Sequence, residues 1–74
     1  MGRLGNITFR DVCRAAESLG WRYHHESGSH IIYKRNPGDG HLSIPKHGEL
    51  RAGTIRTLIA DMGITVDEFN RLRR

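Results

Sequence analysis

Five histidines fall at positions 24, 25, 30, 41 and 47 of a 74-residue chain, beside a single cysteine, Cys13. Imidazole exchanges a proton near neutrality, with a free pKa of about 6.5, so histidine is the first residue type to weigh for acid–base work. Three readings compete: strand or surface histidines without a role, metal ligands, and proton transfer. A zinc site asks for three or four converging ligands, and the chain has neither two histidines four apart nor a second cysteine. No metal and no other cofactor is therefore expected. The eight Asp and Glu show no pairing of the kind a two-carboxylate hydrolase uses. Cys13 lies within a helical pattern and reads as a packing residue rather than a nucleophile.

The chemistry left is metal-free cleavage of an RNA phosphodiester. There a histidine takes the proton of a ribose 2′-hydroxyl, and cations offset the charge that develops on the phosphate. His30 is best placed for it, because Gly28 and Ser29 precede it and allow close approach of a substrate backbone. Lys34 and Arg35 follow in the same segment, and Lys46 and His47 are the next candidates to supply charge or a second proton. These six residues, Gly28, Ser29, Lys34, Arg35, Lys46 and His47, form the expected RNA-binding set. Gly28 and Ser29 have an equally good reading as a tight turn and its polar partner. His24, His25 and His41 read as strand histidines.

These residues need elements to hold them. Thr8 is placed as an N-cap, with Asp11 as the acid of a capping box and Ile7 and Val12 as a hydrophobic staple. Phe9, Val12, Ala15, Ala16 and Leu19 then recur on one helical face, and Gly20 stops the helix. Residues 21–26 read as a strand, with Trp21, Tyr23 and His25 on one face and Arg22, His24 and Glu26 on the other. A turn at Ser27-Gly28-Ser29 leads to a second strand over 30–35. Two facings of it fit, with either Ile32 or the Ile31/Tyr33 pair toward the core. Asn36-Pro37-Gly38-Asp39-Gly40 is a strong turn, His41 to Ile44 a third strand with Leu42 and Ile44 on one face, and Pro45 its end. Residues 46–52 read as a polar connection. Ile55, Leu58, Ile59 and Met62 make a helical stripe closed by Gly63, and Thr65-Val66-Asp67-Glu68 opens a short last helix carrying Phe69 and Leu72. Arg71, Arg73 and Arg74 read as a basic tail.

The expected architecture is α+β: a helix, a three-stranded antiparallel meander, a helix and a short terminal helix. Both main helices cover one sheet face and leave the other to solvent or a partner. The length suits one domain over residues 1–74, thin in core but foldable, with 36% apolar residues. Twelve Lys and Arg against eight Asp and Glu leave a net charge of +4, which favours an anionic partner. No apolar run approaches a membrane span, residues 1–6 lack the pattern of a signal peptide, and Asn6 stands where a myristoylation signal needs Ser or Thr. A lone cysteine fits a reducing cytoplasm. Trp21 and Tyr23 could stack bases on an open sheet face, although core packing is the better reading of Trp21.

Leu19-Gly20-Trp21, Gly28-Ser29-His30, the turn at 36–40, Ile44-Pro45-Lys46-His47-Gly48, Gly53-Thr54-Ile55 and Met62-Gly63-Ile64 with Phe69, in that order, resemble the HicA (YcfA-like) toxin family over residues 8–72. The resemblance implies the fold of a double-stranded RNA-binding domain. It also implies an mRNA interferase, a metal-independent endoribonuclease held inactive by a HicB antitoxin. The family's catalytic histidine, in its Gly-Ser-His motif, falls on His30. Lys46 stands where the family is often apolar. Two other functions use the same features: a non-catalytic RNA-binding module, and an interaction domain that binds only the antitoxin.

Overall fold

A computed structural model describes residues 6–73, so the first five residues and Arg74 at the end of the basic tail lie outside the described residues. The chain runs as α1 (Phe9–Ser18), β1 (Arg22–Ser27), β2 (His30–Lys34), a 3-10 turn (Pro37–Asp39), β3 (His41–Pro45), α2 (Ala52–Met62) and α3 (Val66–Leu72). The strands form one antiparallel sheet in the order β1-β2-β3. This is the expected helix, meander and two-helix arrangement of a double-stranded RNA-binding-like α+β fold.

The helix ends form as their residue types dictate. The Thr8 hydroxyl accepts from the Asp11 amide at 3.4 Å and the Asp11 carboxylate accepts from the Thr8 amide at 3.1 Å, so two otherwise orphaned donors are satisfied at the start of α1. Thr65 and Glu68 repeat the exchange at the start of α3. At the other end of α1, Gly20 adopts φ +94°, the Gly20 amide donates to the Glu17 carbonyl, and the Trp21 amide donates to the Ala16 carbonyl. This pair of bonds turns the chain sharply and drives Trp21 into the core, where it is fully buried.

Trp21 therefore belongs to the turn and not to β1, which starts one residue later than the periodicity suggests. It packs with Val12, Ala15 and Ala16 of α1, Ile55, Leu58, Ile59 and Met62 of α2, Phe69 of α3, and the sheet residues Ile31, Tyr33, Leu42 and Ile44. The facing of β2 is thus settled: Ile31 and Tyr33 join the core with their partners Ile44 and Leu42, and His30, Ile32 and Lys34 point away. Base stacking by Trp21 is ruled out by its burial. Tyr23 is 58% exposed but pairs with Tyr33, on the helix-covered side, and meets that ring edge-on at 6.4 Å.

Three further expectations are corrected. All six residues of β1 are exposed, and the register shifts between Tyr23 and His25, so the strict alternation expected from its sequence is broken by a bulge at His24. The connection at 46–52 is not simply polar: Leu50 is buried, its amide donates to the Ile7 carbonyl at 2.8 Å, and a bridge joins Thr8 to Glu49. A lone apolar residue has no periodicity to betray its burial. Arg73 is not part of a free tail, because its guanidinium lies 3.5 Å from Asp11 and its carbonyl accepts from Arg14 at 2.7 Å, clasping the end of α3 to α1.

Tyr33 also anchors a polar contact at the core's margin. Its hydroxyl donates to the Glu17 carboxylate at 2.8 Å. Burial, then hydrogen bonding with Cys13 and Glu17, pushes its ionisation well above the ordinary phenol range.

Two measurements follow. Replacing Trp21 by alanine removes the largest fully buried side chain and is expected to cost about 3–5 kcal/mol in urea unfolding, enough to leave a domain of this size barely folded. The stability that neutral Tyr33 contributes is complete below about pH 10 and is lost as the pH climbs toward its raised folded value. Tyr33→Phe should therefore lower stability by about 1 kcal/mol at pH 7 and flatten the alkaline decline, read from urea midpoints between pH 8 and 11.

Candidate active site

The covered sheet face is apolar because two helices and α3 sit on it. The other face carries the polar chemistry. Cross-strand partners share a face in an antiparallel pair, so Ser27, His30 and Pro45 form one row, His25, Ile32 and Ser43 the next, and Arg22, Lys34 and His41 a third. His30 is half-buried at the start of β2.

The two-residue loop Gly28-Ser29 sets this end of the face. Ser27 pairs directly with His30, and Gly28 takes φ +61°, a value at which side-chain-bearing residues are strained. A Cβ added at Gly28 would meet no atom within 4 Å, so the turn needs glycine for its backbone and not for room. The Ser29 carbonyl accepts from the Lys46 amide at 2.7 Å. That bond and the pairing of His30 with Pro45 bring the Lys46 backbone beside the Gly28-Ser29-His30 turn, remote from it in sequence, with His47 the next residue along.

The six residues expected to bind RNA are thus divided. Gly28, Ser29 and the Lys46 backbone adjoin His30, His47 follows Lys46 in the chain, and the Lys46 ammonium turns to Glu26 on the helix side of the sheet. Lys34 shares the face of His30 four residues along β2, about 13 Å away at the rise of a strand. Arg35 stands apart and is already engaged: its Nε donates to Asp39 at 2.8 Å, a terminal nitrogen donates to the Leu19 carbonyl at 3.2 Å, and its guanidinium lies 4.6 Å from the centre of the Trp21 ring. It braces the turn at 36–40 against the end of α1, and its hydrogen bond holds the Asp39 carboxyl below the ordinary range. Lys46 makes a 3.4 Å ion pair with Glu26, but both side chains are about half exposed, so the pair is weak and its ammonium is available.

Three histidines that the sequence leaves without a role also lie here. The bulge adds His24 to β1, and the Nδ1 atoms of His24 and His25 come within 2.7 Å of each other, one donating and one accepting. His25 and His41 border a groove of about 310 Å³ with Ser27, Ile32 and Lys34. Alternation alone would have put His24 and His25 on opposite faces, so this grouping could not be found from spacing. Among the described residues no three His, Cys, Asp or Glu side chains converge as a metal site requires. Cys13 is half-buried in α1, and burial pushes its thiol up, away from the reactive thiolate.

A family model for the HicA toxin of bacterial toxin-antitoxin systems matches residues 9–64, which takes in α1, the whole sheet and α2. The chain belongs to the HicA toxin family. No individual curated protein matches it. As a HicA toxin it is one half of a toxin-antitoxin system, and the matched segment includes the Gly28-Ser29-His30 turn and the Lys46-His47 arm. Among the described residues no helix is long and apolar enough to cross a membrane.

The turn geometry of this HicA toxin is testable by itself. Gly28→Val should lower stability by about 1–2 kcal/mol through the left-handed backbone alone, while Gly28→Asn, which tolerates that conformation better, should cost clearly less. Equal urea midpoints for the two variants would show that the turn does not hold Gly28 in this conformation.

Proposed function

We propose that this HicA toxin is a metal-independent endoribonuclease in which His30 is the general base. The observation that supports it is the joining of Gly28-Ser29-His30 to Pro45 and the Lys46 backbone, by β2–β3 pairing and the Lys46 amide, beside a sheet face that no helix of the described residues covers. In a chain of this family, the reading draws on the His30 imidazole on that face and on Lys46 and His47, which follow Pro45 at the same end of the sheet.

The reaction runs by proton transfer in line with phosphoryl transfer. His30 removes the proton of a ribose 2′-hydroxyl, and the 2′-oxygen forms a bond to phosphorus as the bond to the 5′-oxygen breaks. The leaving 5′-oxygen takes a proton, and His47 or Lys46 is the donor we assign to it. The products are a 2′,3′-cyclic phosphate and a 5′-hydroxyl. The Lys46 ammonium offsets charge that builds on the equatorial phosphate oxygens, while the turn lets the ribose approach the backbone. No water and no metal enters this scheme before the cyclic phosphate forms.

The partner we assign to this face is a HicB-type antitoxin that covers His30 and so denies RNA its access, in a cytoplasmic setting where mRNA is the substrate. An acidic antitoxin surface complements the charge of +4. Arg35 is left out of the RNA-binding set in this reading, because its Nε and one terminal nitrogen are bonded within the fold, to Asp39 and to the Leu19 carbonyl.

The deciding experiment incubates labelled single-stranded RNA with the pure toxin in EDTA and compares it with His30→Ala at matched binding. Cleavage by the wild type to cyclic-phosphate ends, with loss of at least 100-fold in the variant, is the expected result. Ends carrying a 5′-phosphate would overturn the mechanism. Binding without cleavage by both proteins would make the toxin an RNA-binding module. Binding itself should weaken with salt, with a log–log slope near −3 for about four phosphate contacts on a single strand.

A further inference from the structure

His30 occupies one end of the open sheet face, and the rest of that face has a charge pattern of its own. Moving along β2 from His30, the face presents Ile32 and then Lys34, flanked by His25 on β1 and by Ser43 and His41 on β3. Ile32 points away from the core yet is only 8% exposed. It floors the 310 Å³ groove whose walls are His25, Ser27, Lys34 and His41. A second groove of about 440 Å³ continues from it toward the turn at 36–40, shares Lys34 and His41, and is also bordered by His24 and Arg35.

Among the described residues no carboxylate lines either groove. The acids lie elsewhere for definable reasons: Asp11 and Glu17 are on α1, Asp61, Asp67 and Glu68 on α2 and α3, and Glu49 follows the sheet in the bridge to Thr8. Glu26 pairs with Ile31 and so belongs to the opposite face, and Asp39 is bound to Arg35. Cations also stand on the helix side, at Arg10, Arg14, Arg51, Arg56, Arg71 and Arg73, so what distinguishes this face is an ammonium, Lys34, set among imidazoles with no carboxylate beside it, and an apolar floor between them suits a base above and phosphates beside it.

We propose that the furrow from Ser27 to His24, floored by Ile32 and walled by His25, Lys34 and His41, is a second RNA subsite that holds the strand beyond the scissile phosphate. It deepens the ribonuclease reading and rests on RNA lying across the open face. The span from His30 to Lys34, about 13 Å, matches roughly four phosphates at the rise of a stacked strand. The bulge at His24 builds the subsite, because it turns a second imidazole toward the furrow that regular alternation would send to the other face.

The test is fluorescence anisotropy of the intact toxin with a labelled 2′-O-methyl RNA hexamer, which lacks the free hydroxyl and cannot be cut, against a 2′-O-methyl dinucleotide. Lys34→Gln and His41→Asn are each expected to weaken hexamer binding at least three-fold and together more than ten-fold. Lys34→Gln should also make the salt slope shallower by about 0.7. Arg56→Gln, an exposed cation on α2, serves as the charge control and should leave hexamer affinity unchanged. The affinity gained in passing from dinucleotide to hexamer should shrink in the double variant. Unchanged hexamer affinity in the double variant, an equal loss in the Arg56 control, or no hexamer binding by the wild type would each overturn the subsite. Loss of antitoxin binding with RNA affinity intact would overturn it in favour of a protein-docking surface. Because the probe is not cleaved, weaker hexamer binding by the variants supports the subsite even where the His30 cleavage experiment fails.

Discussion

The alternation along β2 is the constraint on which the rest of the molecule depends. Five residues, His30 to Lys34, send Ile31 and Tyr33 inward and His30, Ile32 and Lys34 outward, and a slip of one residue would exchange the two sets. Such a slip would bury an imidazole and an ammonium without partners and expose an isoleucine and the tyrosine that binds Glu17. The two turns prevent it. Gly28 in its left-handed conformation fixes the β1–β2 loop at two residues, and the 3-10 turn at 37–39, braced by Arg35 on Asp39, fixes the β2–β3 connection.

From that register the division of labour between the faces follows. One face is sealed by α1, α2 and α3, whose core residues converge on Trp21, and the sharp turn at Gly20 delivers that ring to the centre. Three helices of seven to eleven residues have no chain to spare for the other face. An uncovered face on a small sheet must be polar to remain soluble, so the residues free to do chemistry accumulate there. The core and the candidate site are thus two sides of one sheet, and β2 contributes to both.

The charge distribution extends this argument. Carboxylates appear where they stabilise local structure: as capping acids at Asp11 and Glu68, as the acceptor of the Tyr33 hydroxyl at Glu17, and as the brace for Arg35 at Asp39. Each is held on the helix side or in a turn. What lines the open face, besides Ile32 and Pro45, is imidazole, hydroxyl and the Lys34 ammonium, without a carboxylate in its grooves among the described residues.

Much of this is legible in the residue types. Capping boxes at Thr8 and Thr65, helix stops at Gly20 and Gly63, the glycine turn before His30 and the apolar stripes of α1 and α2 depend on contacts within a few residues, and local chemistry determines them wherever the segment folds. The Gly-Ser-His motif and its companions likewise carry the family without any coordinates. Three things had to wait for the tertiary structure, because each depends on a partner remote in sequence. The facing of β2 was decided by which side the helices cover, the burial of Leu50 by its bond to Ile7, and the place of His24 and His25 by a bulge visible only in the register against β2. The same holds for the neighbourhood of His30 and Lys46: spacing marks each of them as a candidate, but only strand pairing brings the Lys46 backbone to the turn before His30.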